Sequence, residues 1–384
     1  MTRCLWITRQ EPRAANAGDI IYSLGLIKAW ARTGRVDLTV LSHDDHFEGE
    51  EIPNVTFETP CFMPAKSAAC LISSLPADAH RMGNPTMRRR LRELLASGKF
   101  ERVVIDQAAC AWALDLLPAD LPVLYIAHNH ETVVRAETAA DSTGPTAPLY
   151  RLDAWKYGKL EARLCRRARW ISAITPRDEA AFRAGFPDKT YFQLPPGFEA
   201  AIPEFPPPIT TETPRRVVLA GTFEWLAKRR NLEAFLADAD RHFPPAKIEF
   251  QVVGKADPEH FAELSRRYPW VRFDANVPSM EPYLKDARIG LIPEALGGGF
   301  KLKALDYIFR GLPLASIDSA LSGLPLAPGD GAIAARSTAE LAGKVAAAID
   351  HVDELNHQAK IALDRCRDAF HWNDRGLALA EHLC

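Results

Sequence analysis

A strand, a glycine-rich turn and a helix follow one another directly in residues 287–313, and this order restricts the fold more than any other feature of the sequence. The apolar run 287–292 is typical of a buried parallel strand that ends at a proline. Three consecutive glycines follow at 297–299, and a helical pattern then runs to Phe309, where Gly311 and a proline end it. The succession predicts an α/β domain.

The glycine turn is a candidate site for an anion, most often a phosphate. Because glycine has no Cβ, a ligand can approach the backbone, and the first N–H groups of the helix point at it with the positive end of the helix dipole behind them. Lys301 and Lys303 add mobile positive charge where a helix more often carries acids. Asp306 offers an acceptor to sugar hydroxyls. The alternative is a plain glycine-rich turn with solvated lysines.

The composition limits the class of protein. At 384 residues the chain exceeds one ordinary core, which favours two α/β domains. A net charge of -2 gives no broad basic field, so nucleic acid is not expected as a partner. Seven cysteines without a C-x-x-C pair indicate a reducing compartment. Since the sequence shows neither a signal peptide nor a long apolar run, we expect a cytoplasmic protein.

The N-terminal region predicts a βαβ unit, with strands at 4–8 and 36–41 and a helix at 20–33 between them. Such units form parallel sheets that bind ligands at the carboxyl ends of their strands. Gly18 and Asp19, at the entrance of the helix, are therefore candidate substrate-binding residues. The turn lacks G-x-G-x-x-G and the chain lacks the P-loop motif, which argues against a nicotinamide cofactor and a P-loop site.

Apolar strands are predicted at 102–106 and 123–127, and a polar cluster, residues 128–131, directly follows the second of them. Polar side chains at the carboxyl end of such a strand are typical of an α/β active site, so we interpret His128, Asn129 and Glu131 as candidate catalytic residues. Zinc binding is the weaker interpretation because the spacing suits no common motif. The histidines could instead cap the next segment. A second cluster of histidine and aspartate, residues 43–46, is expected at the surface.

The small, polar stretch 136–148 is expected to be a mobile loop, and the helix after it is rich in basic residues. A basic helical face is usually solvated, yet it could also rest against anionic lipid or an acidic acceptor. Peripheral contact with the inner face of the membrane through the helix 151–167 is therefore compatible with the sequence. The basic residues are Arg151, Lys156, Lys159, Arg163, Arg166 and Arg167.

A proline-rich stretch at 202–214 marks a domain boundary, and a new strand at 217–220 then leads into a glycine turn. Basic side chains follow before a helix that we expect to start at Leu232, with Asn231 as its cap. This arrangement predicts a second anion site, whose candidate substrate-binding residues are Gly221, Thr222, Lys228, Arg229 and Arg230. The D-x-D triplet 238–240 lies in a predicted helix, so we interpret it as structural and not as a metal site.

Four motifs together resemble glycosyltransferases of the GT-B fold, and within that fold glycosyltransferase family 4, in the branch with the motif G-G-G-x-[RK]-L-K. They are HNHE at 128–131, GTFEW at 221–225 with Asn231 beyond, GGGFKLKALDY at 297–307 and AFHW at 369–372. The resemblance implies an α/β fold of two Rossmann-like doubly wound domains that face a cleft. Residues 1–200 would form the acceptor-side domain, 201–370 the nucleotide-sugar domain, and 371–384 a helix that packs back on the first domain.

The resemblance also implies a function. Such an enzyme moves a sugar, typically a hexose, from a nucleotide-diphosphate donor to a hydroxyl of a glycan or lipid-linked acceptor, with retention and without a required metal ion or other cofactor. We expect this activity in bacterial surface polysaccharide biosynthesis. His128 would lie beside the transferred sugar. The donor would contact the glycine-rich motif, with substrate-binding candidates Gly297, Gly298, Gly299, Phe300, Lys301, Lys303 and Asp306.

The sequence departs from the family at two places. Gly298 and Asp306 stand where many members have two glutamates eight positions apart, and the basic pair expected to hold the diphosphate is only loosely matched near Lys228. Two other classes of function therefore stay open. One is a sugar-nucleotide epimerase or phosphorylase on the same fold. The other is a non-catalytic sugar-nucleotide binder, which only the missing glutamate favours.

Overall fold

The computed structural model describes residues 1–14, 17–44, 51–65 and 67–384, which divide into two compact units. The first unit comprises Met1–Glu199 and His371–Cys384, and the second comprises Ala200–Phe370. Each unit contains one seven-stranded sheet in which every strand pairing is parallel. The predicted α/β class with two doubly wound parallel sheets is confirmed.

The sheet of the first unit is built from short apolar strands. They are β1 (Thr2–Gln10), β2 (Val36–His43), β3 (Val55–Glu58), β4 (Arg102–Asp106), β5 (Val123–Ala127), β6 (Trp170–Ala173) and β7 (Thr190–Gln193). All residues of β5 are buried, as expected for a strand covered by helices on both faces. The strand order is β3-β2-β1-β4-β5-β6-β7. The order reverses between β1 and β4, and ligands of such sheets bind at this switch point.

Helices flank this sheet: α1 (Gly18–Arg32), α2 (Ala77–Met82), α3 (Pro85–Ala96), α4 (Glu131–Ala140), α5 (Ala147–Arg167) and α6 (Pro176–Gly185). The expected loop at 136–148 is wrong at both ends, because residues 136–140 belong to α4 and residues 147–148 to α5. Alanine and glutamate in the first of these segments favour a helix, and this preference outweighs the polar composition that suggested a loop.

The second unit repeats the plan. Its strands are β8 (Arg216–Thr222), β9 (Glu249–Lys255), β10 (Val271–Ala275), β11 (Ile289–Ile292), β12 (Leu314–Ile317), β13 (Ala327–Pro328) and β14 (Gly331–Ala335). Their order is β10-β9-β8-β11-β12-β14-β13, so the switch point lies between β8 and β11. Residues that directly follow these two strands are therefore placed where a ligand of the second unit is expected.

The helices of the second unit are α7 (Leu226–Ala239), α8 (Pro258–Arg267), α9 (Glu281–Lys285), α10 (Lys303–Phe309), α11 (Thr338–Ala348) and α12 (Val352–Cys366). The expected start of a helix at Leu232 with Asn231 as its cap is wrong, because α7 begins six residues earlier and buries Asn231. Both aspartates of the triplet 238–240 accept hydrogen bonds from side chains of the same unit. Asp238 accepts from Thr338 Oγ1 at 2.5 Å, and Asp240 accepts from Trp270 Nε1 at 2.7 Å.

The last helix, α13 (Trp372–Leu383), belongs to the first unit and packs against α1. Its first residue, Trp372, is buried against two glycines. A Cβ added at Gly25 would lie 2.2 Å from the indole, and one added at Gly197 would lie 2.4 Å from it. A Cβ at Gly376 would come within 2.1 Å of the carbonyl oxygen of Ala29. Glycine thus permits the close approach of the two helices.

Removing residues 372–384 is expected to lower the melting temperature of the first unit and the activity together. The deletion exposes the surface of α1 that Trp372 covers, and loss of one buried tryptophan alone costs about 3–5 kcal/mol. Calorimetry of the truncated chain measures the effect. Leu377→Ala is the control, since Leu377 in the same helix is 54% exposed and should leave the transition unchanged. A normal melting curve of the truncated chain would contradict the expectation.

Candidate functional site

A histidine cluster, defined here as Trp6, Tyr22, Asp106, Gln107 and His128, lies at the switch point of the first sheet. Asp106 is the last residue of β4 and His128 directly follows the neighbouring β5. His128 Nε2 lies 2.6 Å from Asp106 Oδ1. The other carboxylate oxygen, Oδ2, accepts a hydrogen bond of 2.9 Å from Trp6 Nε1. Both oxygens of the fully buried Asp106 thus have a partner, as a buried carboxylate requires.

The ring of His128 is also fixed on its other sides. Tyr22 of α1 meets it edge to face, with ring centroids 4.8 Å apart, and donates its own O–H to Leu194 O at 2.6 Å. The side-chain amide nitrogen of Gln107 lies 3.4 Å from His128 Nδ1. Gln107 has a φ of 76°, a conformation that costs energy in any residue but glycine and often occurs at functional sites.

The two residues predicted at the entrance of α1 are partly joined to this cluster. Asp19 Oδ2 accepts from Gln107 Nε2 and from Arg9 Nη1, each at 3.4 Å. Gly18 is the first residue of α1. Asp19 is therefore linked to His128 through the amide of Gln107.

The other predicted catalytic residues form a separate group. Asn129 Nδ2 donates to Glu131 Oε1 at 3.2 Å, and Glu131 Oε2 accepts from Arg135 Nε at 2.9 Å. These contacts tie Glu131 to the side of α4 instead of to His128. His130 caps α4, because its Nδ1 accepts the N–H of Val133 at 3.4 Å. The alternative that a histidine caps the next segment is thus confirmed for His130.

Two further titratable groups of this unit are buried. Glu161 accepts the backbone N–H groups of Glu131 and Thr132 at 3.0 and 2.7 Å, and burial raises its pKa against the effect of these bonds. His43 was expected at the surface, which is wrong, because it is fully buried and its Nδ1 lies 2.9 Å from Arg9 O. Burial lowers the pKa of His43. Residues 45 and 46 of that cluster lie outside the described residues.

A lysine cluster, defined as Lys228, Glu294 and Lys303, lies at the switch point of the second sheet. Glu294 Oε1 accepts from Lys303 Nζ at 2.6 Å and from Lys228 Nζ at 2.9 Å. Burial would raise the pKa of Glu294, but the two lysines hold it well below its usual range. Burial lowers the pKa of Lys303 to about 8, although Glu294 opposes this shift.

Gly221 of β8 borders the lysine cluster. A Cβ at this position would lie 3.2 Å from Lys303 Nζ, so glycine leaves the ammonium group accessible from this side. A pocket of about 270 Å³ connects Gly221, Lys303 and Asp306. Both Asp306 and Arg310 line this pocket, and Asp306 Oδ1 accepts a hydrogen bond of 2.9 Å from Arg310 Nη1. The structure thus brings together three residues that the sequence predicted in two separate motifs.

The glycine turn itself is held from two sides. Lys301 Nζ donates to the carbonyl oxygens of Gly297 and Gly298 at 3.0 and 2.7 Å, and its side chain is largely buried. The expectation that Lys301 is a mobile charge is therefore wrong. Asn231 forms two bonds with the backbone of Leu296, at 2.9 and 3.0 Å. Since α10 has seven residues and a short dipole, the positive charge here comes mainly from lysines.

The remaining substrate-binding candidates of the second unit are not members of the lysine cluster. Arg229 Nε donates to Phe223 O at 3.0 Å, which ties this guanidinium to its own loop. Phe300 packs on Phe370 with centroids 5.4 Å apart. Thr222 ends β8, Gly299 has a φ of 71° that favours glycine, and Arg230 lies on α7.

Sequence reasoning missed five residues of these clusters, Trp6, Tyr22, Asp106, Gln107 and Glu294. Asp106 and Glu294 carried a signal, because each is a carboxylate at or just after the carboxyl end of an apolar strand.

In the described part of the chain, no group of three or more histidine, cysteine, aspartate or glutamate side chains is arranged to hold a metal ion. Within the same ranges, no helix has the length and hydrophobicity that crossing a membrane requires.

Residues 214–351 match the family model described as "Glycosyl transferases group 1". No curated protein matches the sequence. Solved structures with a similar fold include sucrose-phosphate synthase from Thermosynechococcus elongatus, with a TM-score of 0.76, 16% identity and coverage of 100% of this chain and 98% of the other. Anabaena HepE in complex with UDP and glucose is similar with a TM-score of 0.70 and 13% identity, over 100% of this chain and 99% of the other.

WaaG, described as a glycosyltransferase involved in lipopolysaccharide biosynthesis, is similar with a TM-score of 0.67 and 18% identity, over 99% of both chains. At these identities the likeness concerns the fold. It confirms the α/β fold of the GT-B glycosyltransferases that the motifs indicated.

Proposed function

We propose that the protein is a glycosyltransferase that moves a hexose from a nucleotide-diphosphate donor to a hydroxyl of a glycan or lipid-linked acceptor. The observation that carries this proposal is the lysine cluster beside Gly221, at the switch point of the sheet and inside the segment that matches the family model. A leaving diphosphate develops negative charge, and preorganised positive groups stabilise it.

The charge of the lysine cluster suits such a ligand. Two ammonium groups face one carboxylate, so the cluster stays positive while both lysines are held in place. Lys228 is 34% exposed and can turn toward a ligand, whereas Lys303 is almost buried. Lys301, two residues before Lys303 in the chain, holds the glycine turn through the carbonyl oxygens of Gly297 and Gly298. These features support binding of the diphosphate at this end of the second sheet.

We place His128 at the transferred sugar and propose a retaining transfer in which the departing diphosphate receives the acceptor proton. The enzyme then needs no strong base and no metal ion. His128 would bond the sugar and stabilise the positive charge that develops at the anomeric carbon. The likeness to WaaG, described as acting in lipopolysaccharide biosynthesis, supports a role in bacterial surface polysaccharide assembly.

A thermal-shift screen of UDP-, GDP- and dTDP-sugars tests the binding half of this proposal. We expect at least one nucleotide sugar to raise the melting temperature, and the corresponding nucleoside diphosphate to do the same. Turnover then separates the alternatives. An epimerase changes the sugar without releasing nucleoside diphosphate, a phosphorylase needs inorganic phosphate, and a binder gives a shift without any product.

We further propose that the protein contacts the membrane through α5, with an apolar surface beside the basic residues of that helix. Four of the six basic residues, Arg151, Lys159, Arg163 and Arg166, are exposed and recur along one side of α5. Lys156 is buried and donates to Cys70 O and Leu71 O at 2.8 and 3.1 Å, and Arg163 pairs with Asp115. Lys156 thereby anchors the turn at 68–72, whose Ile72 is 93% exposed.

Trp155 is suited to a lipid headgroup region because it combines an apolar ring with a nearby cation. It is 57% exposed, and Lys159 Nζ lies 3.7 Å from its ring centroid. Arg151 is exposed on the same helix. Apolar side chains flanked by basic ones are typical of surfaces that enter an anionic interface.

Replacing Ile72 and Trp155 by glutamate is expected to lower binding to vesicles that contain phosphatidylglycerol. Burial of one large apolar side chain contributes about 1.5–3 kcal/mol, so each change should reduce the bound fraction clearly in a sedimentation assay. Phe205→Glu is the matched control, since Phe205 is 83% exposed but lies in the second unit. Equal binding of all variants, or none by the wild type, would refute this contact.

A further inference from the structure

We infer that Asp106 and Trp6 together set the tautomer of His128, so that Nδ1 presents a lone pair to a substrate hydroxyl. Asp106 is then a positioning residue that acts through His128 and does not touch the substrate. The identity of that hydroxyl rests on the proposed function. The tautomer itself rests only on the geometry of the histidine cluster.

The first part of the argument concerns Asp106. An ionised carboxylate can only accept hydrogen bonds, and an indole N–H can only donate. Oδ2 is taken by Trp6 Nε1 at 2.9 Å, and Oδ1 faces His128 Nε2 at 2.6 Å. The proton of a neutral His128 must therefore be on Nε2. Because Asp106 is fully buried, water cannot readily replace either contact.

The second part concerns the opposite side of the ring. The amide nitrogen of Gln107 has two protons, and it lies 3.4 Å from Asp19 Oδ2 and 3.4 Å from His128 Nδ1. An amide nitrogen donates and does not accept, so Nδ1 must be the acceptor. Two independent neighbours thus favour the same tautomer. The long contact to Gln107 is weak enough for a ligand hydroxyl to replace it.

This tautomer has a consequence for the reaction. A lone pair on Nδ1 accepts a hydrogen bond from a hydroxyl, and the carboxylate behind the ring stabilises any positive charge that the ring gains. The opposite tautomer would present an N–H and could only donate. The side chain of His128 keeps 9% of its surface exposed, while that of Asp106 has none. His128 can thus meet a ligand, and Asp106 orients it from the core.

The variant Asp106→Asn separates this role from a merely structural one. Asparagine has the same shape but only one accepting oxygen for two neighbours. Since Trp6 Nε1 can only donate, the oxygen turns to Trp6 and the amide nitrogen faces His128 Nε2. Nε2 must then accept, and the proton moves to Nδ1. In Trp6→Phe/Asp106→Asn the indole donor is gone, so the amide can turn round and restore the original tautomer.

The test is nitrogen NMR of histidine-labelled protein without ligand, with His128→Asn to assign the signal. We expect the Nε2–H form in the wild type, the Nδ1–H form in Asp106→Asn and the Nε2–H form again in the double variant. His130, whose Nδ1 accepts from Val133, is the internal reference and should not change. An Nδ1–H form in the wild type, or an unchanged tautomer in Asp106→Asn, would overturn the inference.

Measuring kcat with a nucleotide sugar tests whether the tautomer matters for the reaction. Asp106→Asn should lower kcat by about tenfold or more, as expected for a wrong tautomer, and the double variant should recover part of the loss relative to Trp6→Phe alone. A double variant as slow as Asp106→Asn would count against a role of the tautomer in the reaction. If the wild type turns over no nucleotide sugar, the proposed function fails, while the NMR result still decides the tautomer.

Discussion

Replacing His128 by alanine is expected to lower kcat by about a hundredfold or more and to change donor affinity much less. The ring is held by Asp106, Tyr22 and Gln107, so its position is fixed before a ligand binds. A preorganised group of this kind stabilises charge that appears in the transition state more than it stabilises the ground state. The loss should therefore appear in kcat, measured as product formation at saturating donor.

A matched control for this change is His357→Ala, because His357 is an exposed histidine of α12 in the second unit. It should leave kcat unchanged. Added zinc or magnesium should not restore the His128 variant if the reaction needs no metal ion. Near-normal turnover of His128→Ala would show that the assignment of His128 is wrong. A wild-type reaction that chelators abolish and metal restores would contradict the metal-free mechanism.

Replacing Lys303 by methionine is expected to weaken binding of a nucleoside diphosphate by more than tenfold and to leave binding of the bare nucleoside almost unchanged. A hydrogen bond to a charged group contributes about 2 kcal/mol, which corresponds to roughly thirtyfold in affinity. Titration calorimetry with UDP and uridine, or the matching pair from the donor screen, measures both values. An equal loss for both ligands would refute a contact with the diphosphate.

The control for Lys303 must allow for the carboxylate that it leaves behind. Glu294 would keep only Lys228 as a partner in the single variant, and an imperfectly paired buried carboxylate is destabilising. The double variant Glu294→Gln/Lys303→Met removes both charges and tests the ligand contact without this effect. Since the pKa of Lys303 is about 8, its charge is present below that pH and lost above it. Diphosphate affinity of the wild type should therefore fall as the pH rises through about 8.

Most of the strands that position the two clusters could be predicted from the sequence. The apolar runs at 102–106, 123–127 and 287–292 are long enough to identify without any tertiary information, and each lies at a strand of the structure. β3, β7, β12, β13 and β14 were missed, and each of them has five residues or fewer. Short strands are recognisable mainly through the neighbours with which they pair.

The partners within each cluster could not be predicted, because they depend on the order of the strands. Asp106 and His128 are 22 residues apart and meet only since β4 and β5 are neighbours in the sheet. The same holds for Glu294, whose two lysines come from α7 and α10. Asn231 shows the reverse case. A local capping rule placed it at the start of a helix, but it lies inside α7, where its side chain forms two hydrogen bonds with the backbone of Leu296.

The central claim is sugar transfer, and acceptor-dependent release of nucleoside diphosphate tests it most directly. The wild type is mixed with UDP-, GDP- and dTDP-sugars, each with and without a lipid-linked glycan acceptor, and mass spectrometry follows the acceptor. We predict that one donor gives nucleoside diphosphate faster when the acceptor is present, together with an acceptor heavier by one sugar. Release that is the same with and without acceptor, or an acceptor of unchanged mass with every donor, would contradict the account.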